Sequence, residues 1–240
     1  MAENKPPALD GRPATPSRTS ASADVSAFLK AAAAVAPPKA PGAKGRLLFA
    51  LDATMSRQPT WDMACAIQAE MFREAAKIGS LDIQLVFFRG LGECRSSSFV
   101  SDPARLATLM GKITCQGGHT QIGRVLTHAE EEAARERVHA LVFVGDAMEE
   151  RLDDLCARAG VLALKGVPAF LFQEGHDPAA ETAFREIARI TKGAYARFSP
   201  GAAAELAELL KAVAIFAAGG RTALANHSGR GASLLLGQIK

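Results

Sequence analysis

The sequence is poor in the patterns that mark several common functional classes. Its 240 residues hold one Trp, one Tyr and four Cys, and no two of the cysteines form a C-x-x-C pair. The absence of that pair excludes a zinc ribbon and a thioredoxin-like motif. No Walker loop, no G-x-G-x-x-G after a strand and no G-x-S-x-G elbow occurs, which leaves phosphate-loop, dinucleotide and hydrolase-elbow chemistry without a sequence signal.

The net positive charge of the chain lies in its N-terminal segment. Residues 1–46 carry seven Lys and Arg against three acidic residues, whereas the remainder holds 21 basic and 22 acidic residues. A nucleic-acid-binding domain normally shows a basic face, so we expect no nucleic-acid partner. With 48% hydrophobic and 22% charged residues, the composition is typical of a globular domain.

The N-terminal segment is polar and rich in proline, without an early apolar run of the kind found in signal peptides. Its longest apolar stretch, residues 31–36, is too short to cross a membrane. We therefore expect a cytoplasmic protein with reduced thiols and no membrane partner. The predicted organisation is a flexible Pro/Ala-rich segment (1–44) with a possible short helix at 22–35, an α/β domain (45–218) and a C-terminal tail (219–240).

Strand and helix patterns alternate through the predicted domain. The strands are predicted at 47–52, 81–90, 139–146, 167–174 and 194–198, with a short antiparallel edge strand within 90–100, and the helices at 59–78, 103–110, 121–137, 147–160, 178–193 and 200–218. Alternation of this kind, with almost continuously apolar strands, predicts a doubly wound, mostly parallel sheet with helices on both faces.

Polar side chains follow the first of these strands. Asp52, Thr54 and Ser56 stand at every second position after an apolar run, where an open parallel sheet binds ligands. An oxygen-only cluster suits a hard cation such as Mg²⁺ or Mn²⁺. The alternative is that these residues only cap the following helix and form the turn before it.

Two further loops supply oxygens at corresponding places. Thr120 follows a Gly-Gly pair and precedes a helix, and Asp146 comes directly after a buried strand. Together with Asp52, Thr54 and Ser56, this ordered set resembles the metal-ion-dependent adhesion site of the von Willebrand factor A family. The departures are a Thr at position 54, where the family usually has Ser, and His119 between the glycines and Thr120.

The resemblance implies a Rossmann-like fold over roughly residues 46–218 and a bound divalent cation, Mg²⁺ first, with Mn²⁺ or Ca²⁺ as alternatives. By the resemblance, Thr54, Ser56 and Thr120 bind the ion directly, while Asp52 and Asp146 act mostly through waters. The implied function is that of a bacterial cytoplasmic module that is not an enzyme. Such a module binds a Glu or Asp of a partner protein, for example an AAA+ ATPase or another assembly.

Two other functions are compatible with parts of the sequence. A haloacid-dehalogenase-like magnesium phosphatase would use Asp52 as its nucleophile, although Thr54 occupies the position of the usual second Asp and GGHT has no role in it. A metal-free scaffold would keep the fold alone. Near the same edge, Cys94, Cys115 and His119 suggest a zinc or thiol site without the expected ligand spacing.

Several residues beside the cluster have a structural and a functional interpretation. Trp61 either forms part of a partner surface or packs inside the domain. Arg57 and Gln58 either contact a ligand or belong to a solvated loop. Glu149 and Glu150 either extend the negative field of the site or stabilise the first turn of a helix.

Overall fold

The computed structural model describes residues 45–62, 66, 81–198 and 203–225. Its elements in chain order are strand β1 (Gly45–Asp52), a 3-10 helix (Met55–Thr60), β2 (Leu81–Arg89), β3 (Glu93–Ser96), α1 (Pro103–Met110), α2 (Ile122–Arg135), β4 (Ala140–Gly145), α3 (Leu152–Leu164), β5 (Ala169–Glu174), α4 (Pro178–Ile190), β6 (Ala194–Phe198) and α5 (Ala203–Ala225). The segment predicted as a helix at 22–35 and most of the one predicted at 59–78 lie outside the described residues.

The six strands form one sheet in the order β3-β2-β1-β4-β5-β6. All neighbours pair in parallel except β2 and β3, which are antiparallel. The predicted doubly wound sheet with one antiparallel edge strand is therefore confirmed. The chain runs outward from β1 through β2 to β3 on one side of the sheet. It then returns to β4 and runs outward through β5 to β6 on the other side, so the strand order reverses between β1 and β4.

Apolar side chains on both faces of the sheet are buried. On one face, Leu47, Phe49 and Leu51 pack with residues of α1 and α5. On the other face, Leu48 and Ala50 pack with residues of α2, α3 and α4. This two-sided burial explains why β1 and β4 are apolar at almost every position instead of alternating.

Two helices begin as their sequences predict. Asp102 accepts a hydrogen bond from the backbone N–H of Ala104 at 2.9 Å, and Asp177 accepts one from Ala180 at 2.6 Å, each directly before a proline in the first turn. An N-cap carboxylate followed by proline is a strong signal for the start of a helix. The carboxylate accepts a hydrogen bond from a free backbone N–H of the first turn, and proline in that turn has no N–H that needs a partner.

Two other helix boundaries differ from the sequence prediction. Helix α3 starts at Leu152 and not at 147. It ends at Leu164, where a stop at Gly160 or shortly after was predicted. Helix α5 continues to Ala225, beyond the predicted end near Ala218. Among the described residues, no helix combines the length and the apolar character needed to cross a bilayer.

Candidate metal centre

Two carboxylates lie at the point where the strand order reverses. Asp52 is the last residue of β1, and Asp146 follows β4 directly. The two strands are paired, with Leu51 opposite Val144. In open α/β sheets this crevice at the carboxyl ends is the usual ligand site.

Asp52 is fully buried. Its Oδ1 accepts a hydrogen bond from the backbone N–H of Thr54 at 2.8 Å. Burial raises the pKa of Asp52 from 3.8 to about 6, helped by the negative charge of Asp146, while the bonds from Thr54 and the charge of Arg57 oppose the rise. The carboxylate is thus held in a place that disfavours its own negative charge.

One oxygen on each carboxylate has no protein hydrogen-bond partner. These atoms are Asp52 Oδ2 and Asp146 Oδ1, and both are buried. A buried carboxylate oxygen without a donor costs free energy unless a proton, a water or a cation meets it. The two oxygens follow adjacent strands at the same edge of the sheet.

Two hydroxyls lie beside Asp52. Thr54 Oγ1 and Ser56 Oγ are 3.0 Å apart. Thr54 is the N-cap of the 3-10 helix, yet its side chain makes no capping hydrogen bond, and Ser56 is exposed. The capping interpretation therefore accounts for Asp52 Oδ1, which closes a turn, but not for the two hydroxyls.

The loop that carries Thr120 is bonded to both neighbouring loops. The backbone N–H of Gln116 donates to the carbonyl of Ala53 at 3.0 Å, and Thr54 forms an isolated parallel bridge with Gln116. Thr120 is buried, and its Oγ1 accepts a hydrogen bond from the backbone N–H of Glu149 at 3.0 Å. Thr120 is thereby joined to the loop that follows Asp146.

Glu149 and Glu150 do not form the first turn of α3, so the helix interpretation of these residues is wrong. Glu149 Oε2 accepts from the backbone N–H of Thr120 at 3.1 Å and lies 3.1 Å from His119 Nδ1. Glu150 accepts from the backbone N–H of Gly123 at 2.8 Å, and its burial raises its pKa. Because α2 has no capping side chain at its own N-cap, Glu150 satisfies the start of α2 from another loop.

Arg57 is buried, so the solvated-loop interpretation is wrong for it, whereas Gln58 is exposed. The Arg57 guanidinium pairs with Glu174, the last residue of β5. Thr60 Oγ1 also donates to Glu174 Oε2, at 3.0 Å. The 3-10 helix that begins after Thr54 is therefore anchored to the end of β5.

Other residues singled out from the sequence have structural contacts. Trp61 is buried and its Nε1 donates to the carbonyl of Ile113 at 3.1 Å, which supports its packing role. Within the described ranges, no three His, Cys, Asp or Glu side chains are grouped to hold a metal ion. That result gives the zinc hypothesis for Cys94, Cys115 and His119 no support.

The sequence reasoning missed Glu174 as a residue of this edge. The signal was present, since Glu174 ends a buried strand just as Asp52 does. Applying the strand-end rule to every parallel strand would have identified it. Its partner Arg57 was predicted to flank the site, but the sequence does not show that the Arg57 side chain turns towards the end of β5.

Gly118 fixes the position of the Thr120 loop. A Cβ at Gly118 would lie 2.0 Å from the carbonyl oxygen of Gly90, whereas a Cβ at Gly117 would meet nothing within 4 Å. Gly90 also accepts a hydrogen bond from the backbone N–H of His119 at 3.2 Å. Only glycine permits this close approach of two backbones.

Gly118→Ala is therefore expected to displace Thr120 and to weaken Mn²⁺ binding about tenfold or more, measured by isothermal titration calorimetry. The matched variant Gly117→Ala is expected to bind Mn²⁺ as the wild type does. Equal affinities for both variants would contradict the role given to this backbone contact.

Known structures share this fold at low sequence identity. A von Willebrand factor type A protein from Catenulispora acidiphila is 19% identical (TM-score 0.58), covering 72% of this chain and 43% of that one. The SpRpn10 VWA domain is 11% identical (TM-score 0.56; 70% and 93% covered). Proximal thread matrix protein 1 from the mussel byssus, with a zinc-occupied MIDAS motif, is 16% identical (TM-score 0.59; 71% and 46% covered).

These likenesses establish the von Willebrand factor A fold. The chain spans less than half the length of the first and third of these proteins. No protein-family model matches the sequence, and no curated protein matches it.

Proposed function

We propose that this protein is a cytoplasmic protein-interaction module that binds an acidic side chain of a partner through a divalent cation. The observation that carries the proposal is the pair of buried, unpartnered oxygens, Asp52 Oδ2 and Asp146 Oδ1. They lie at the carboxyl ends of two adjacent central strands, beside hydroxyls that do not serve as helix caps.

The donor set fits a hard cation. Thr54, Ser56 and Thr120 supply hydroxyl oxygens and Asp52 and Asp146 supply carboxylates, which is the oxygen chemistry that Mg²⁺ or Mn²⁺ prefers. Asp52 is additionally destabilised as an anion by its burial. A nearby divalent cation relieves that cost because it favours the charged form.

The ion supplies an electrophilic position for an incoming carboxylate. In the proposed arrangement the three hydroxyls bind the ion directly and the two carboxylates support it through waters. Neutral hydroxyls leave the cation's charge largely uncompensated, so a Glu or Asp of the partner is strongly attracted. Arg57 is already paired with Glu174 and does not neutralise the two aspartates in full.

The partner is proposed to be a protein such as an AAA+ ATPase or another assembly. The SpRpn10 VWA domain and the mussel byssus protein share the fold, but fold does not determine function, so these neighbours do not identify the partner. The phosphatase alternative has no contact in its favour: Asp52 is buried, with Oδ1 bonded to Thr54, and Thr54 stands where an acid/base would be needed.

The variant Thr120→Val tests the proposed metal site. The change removes one proposed direct ligand with little change in volume, so Mn²⁺ affinity measured by calorimetry should fall about 100-fold, at the upper end of the effect of losing a supporting residue. Thr108→Val is the matched control, because the Thr108 hydroxyl bonds within α1 to the carbonyl of Ala104 at 2.9 Å.

Mn²⁺ binding that survives Thr120→Val unchanged, or wild-type protein that binds no divalent cation, would contradict the proposal. The second result would instead favour the metal-free scaffold. A pull-down from native lysate with and without EDTA then identifies partners whose binding requires the ion.

A further inference from the structure

A cavity of about 230 Å³ lies between the antiparallel edge of the sheet and the end of α1. Its apolar lining comes from β2 and from the end of α1 and the residues after it: Leu85, Phe87, Leu109 and Ile113. Leu85 and Ile113 are buried, whereas Phe87 and Leu109 are half-buried. The cavity therefore opens to solvent over part of its apolar wall, as small-molecule sites commonly do.

The edge strand β3 forms one side of the opening. Arg95 stands opposite Phe87 in the antiparallel pairing, and side chains of such a pair point to the same face of the sheet. Ser96 and Ser97 complete the lining. The backbone N–H of Ser97 donates to the carbonyl of Leu85 at 2.8 Å, and the backbone N–H of Leu85 donates to Ser97 Oγ at 3.1 Å. This side of the cavity is thus held by strand pairing.

The charged side chains that line the cavity are both cationic. They are Arg95 and Lys112. Arg95 Nε lies 2.8 Å from Glu93, and Arg89 Nε lies 2.9 Å from the same carboxylate. The pKa of Glu93 is lowered chiefly by its hydrogen bond with Arg89. Exposed Lys112 adds a third cation against this one carboxylate, so the charges of the corner favour an anionic head group.

The volume of the cavity sets the length of a ligand. At about 230 Å³ the cavity is smaller than the about 300–1,000 Å³ of sites that hold drug-sized molecules. If each methylene takes about the 30 Å³ of a water molecule in the liquid, the cavity holds roughly seven or eight such groups. One short alkyl chain fits this volume, whereas a partner helix about 10 Å across does not.

We propose that this cavity binds a free medium-chain fatty acid. The alkyl chain packs against the apolar lining, and the carboxylate meets Arg95 and Lys112 at the opening. Burial of the chain supplies affinity that grows with each methylene, and the two cations favour a charged head group over a neutral one. The site does not use the candidate metal centre, so the inference is independent of the function proposed above.

The test compares sodium octanoate, sodium hexanoate and octan-1-ol as ligands of the full chain, by NMR titration. EDTA is present throughout, so that a cation at the candidate metal centre cannot bind the carboxylates. Octanoate should bind about tenfold more tightly than hexanoate, because it buries two more methylenes. It should also bind about tenfold more tightly than octan-1-ol, which lacks the charge.

Two variants locate the ligand. Arg95→Gln combined with Lys112→Gln should weaken octanoate about tenfold and leave octan-1-ol unchanged, a selective loss that general damage to the fold would not produce. Leu109→Trp should fill the cavity and weaken both ligands at least tenfold.

The matched control for the charge variant is Arg151→Gln combined with Lys165→Gln. Both residues are exposed, and they are the N-cap and C-cap of α3, which packs on the other face of the sheet. This control should bind all three ligands as the wild type does.

The chain-length and head-group dependence together with the selective loss would support the site. Octanoate that does not bind at millimolar concentration overturns it, and octan-1-ol that binds as tightly as octanoate overturns the role of the cations. Octanoate binding that neither variant changes places the ligand elsewhere and overturns the assignment.

Two further ligands test other occupants of the same corner. Binding to vesicles of phosphatidylglycerol and phosphatidylcholine without binding of octanoate would assign the corner to a membrane surface and overturn a free ligand. A peptide with a C-terminal Leu that binds more tightly than octanoate, and is weakened by Leu109→Trp, would assign the cavity to the end of a protein chain and overturn the fatty acid.

Discussion

Asp52→Asn is expected to make the metal-free protein more stable at pH 8, although it removes a residue of the proposed site. The pKa of Asp52 is raised from 3.8 to about 6 in the folded state, mainly by burial. A difference of this size corresponds to about 3 kcal/mol of free energy lost when the buried carboxyl ionises. The Asn variant avoids that loss and retains an oxygen to accept from Thr54.

The raised pKa of Asp52 fixes how its contribution to the free energy of unfolding changes with pH. The contribution of Asp52 to stability is fully present below its unfolded pKa of 3.8 and is lost as the pH rises through about 6. In EDTA, the advantage of Asp52→Asn should therefore grow from near zero at pH 4 to its maximum above pH 7. At about 2–4 °C per kcal/mol, thermal unfolding should show a shift of about 6–12 °C.

Mg²⁺ should reverse the order of the two proteins. In the proposed function Mg²⁺ binds the folded wild type and stabilises it by mass action, by about 4.1 kcal/mol at 1,000 times the dissociation constant. This gain exceeds the advantage of about 3 kcal/mol that Asp52→Asn has in EDTA, whereas the Asn variant itself should gain little. Asp153→Asn on the exposed start of α3 is the control and should show neither the pH-dependent gain nor a loss of the Mg²⁺ response. A wild-type protein that is more stable than Asp52→Asn in EDTA at pH 8 would refute the interpretation of Asp52 as a strained anion.

Glu174→Gln is expected to destabilise the protein by about 3 kcal/mol. The change keeps the shape of the side chain but leaves the guanidinium of Arg57 buried without its counter-charge, and breaking a buried pair in this way is costly. Chemical denaturation followed by circular dichroism measures the loss. Glu181→Gln is the control, because Glu181 pairs with Arg185 and Arg197 in a partly exposed place, where such pairs contribute about 0–1 kcal/mol.

A double variant isolates the charge effect. Arg57→Met combined with Glu174→Leu removes both charges and should be more stable than Glu174→Gln alone. Because Ser56 directly precedes Arg57, the single Glu174→Gln variant should also lose Mn²⁺ affinity. A double variant less stable than the single one would show that the pair is held by its hydrogen bonds and packing more than by its charges.

The strands and the sheet could be predicted because their sequence signals are local. Apolar runs that end in Asp or Gly identify β1 and β4, and Asp-Pro pairs identify the starts of α1 and α4. The start of α3 could not be predicted in the same way. Glu149 and Glu150 are good first-turn residues, but both bond to the beginning of α2 and the loop before it, and this competition between loops distant in sequence is invisible in a local pattern.

The residues of the candidate site could also be predicted only in part, where the sequence signal is local. The strand-end rule identified Asp52 and Asp146, and the structure places them on adjacent strands. Their role as supports of a cation stays a prediction, as do the roles of Thr54, Ser56 and Thr120. Arg57 shows what a sequence cannot provide, since an arginine after a polar loop is expected in solvent, and only the position of Glu174 on β5 reveals why it is buried.

Thr120 and Glu149 are joined by two reciprocal hydrogen bonds, each from the backbone of one to the side chain of the other. Breaking either bond loosens the geometry of the second, so the loop before α2 and the loop after β4 open as one cooperative unit. In the proposed function, a partner that pulls on the ion would therefore load both loops at once. Release of a bound partner would then require a single joint opening, which gives the complex a longer lifetime than two independently moving loops would allow.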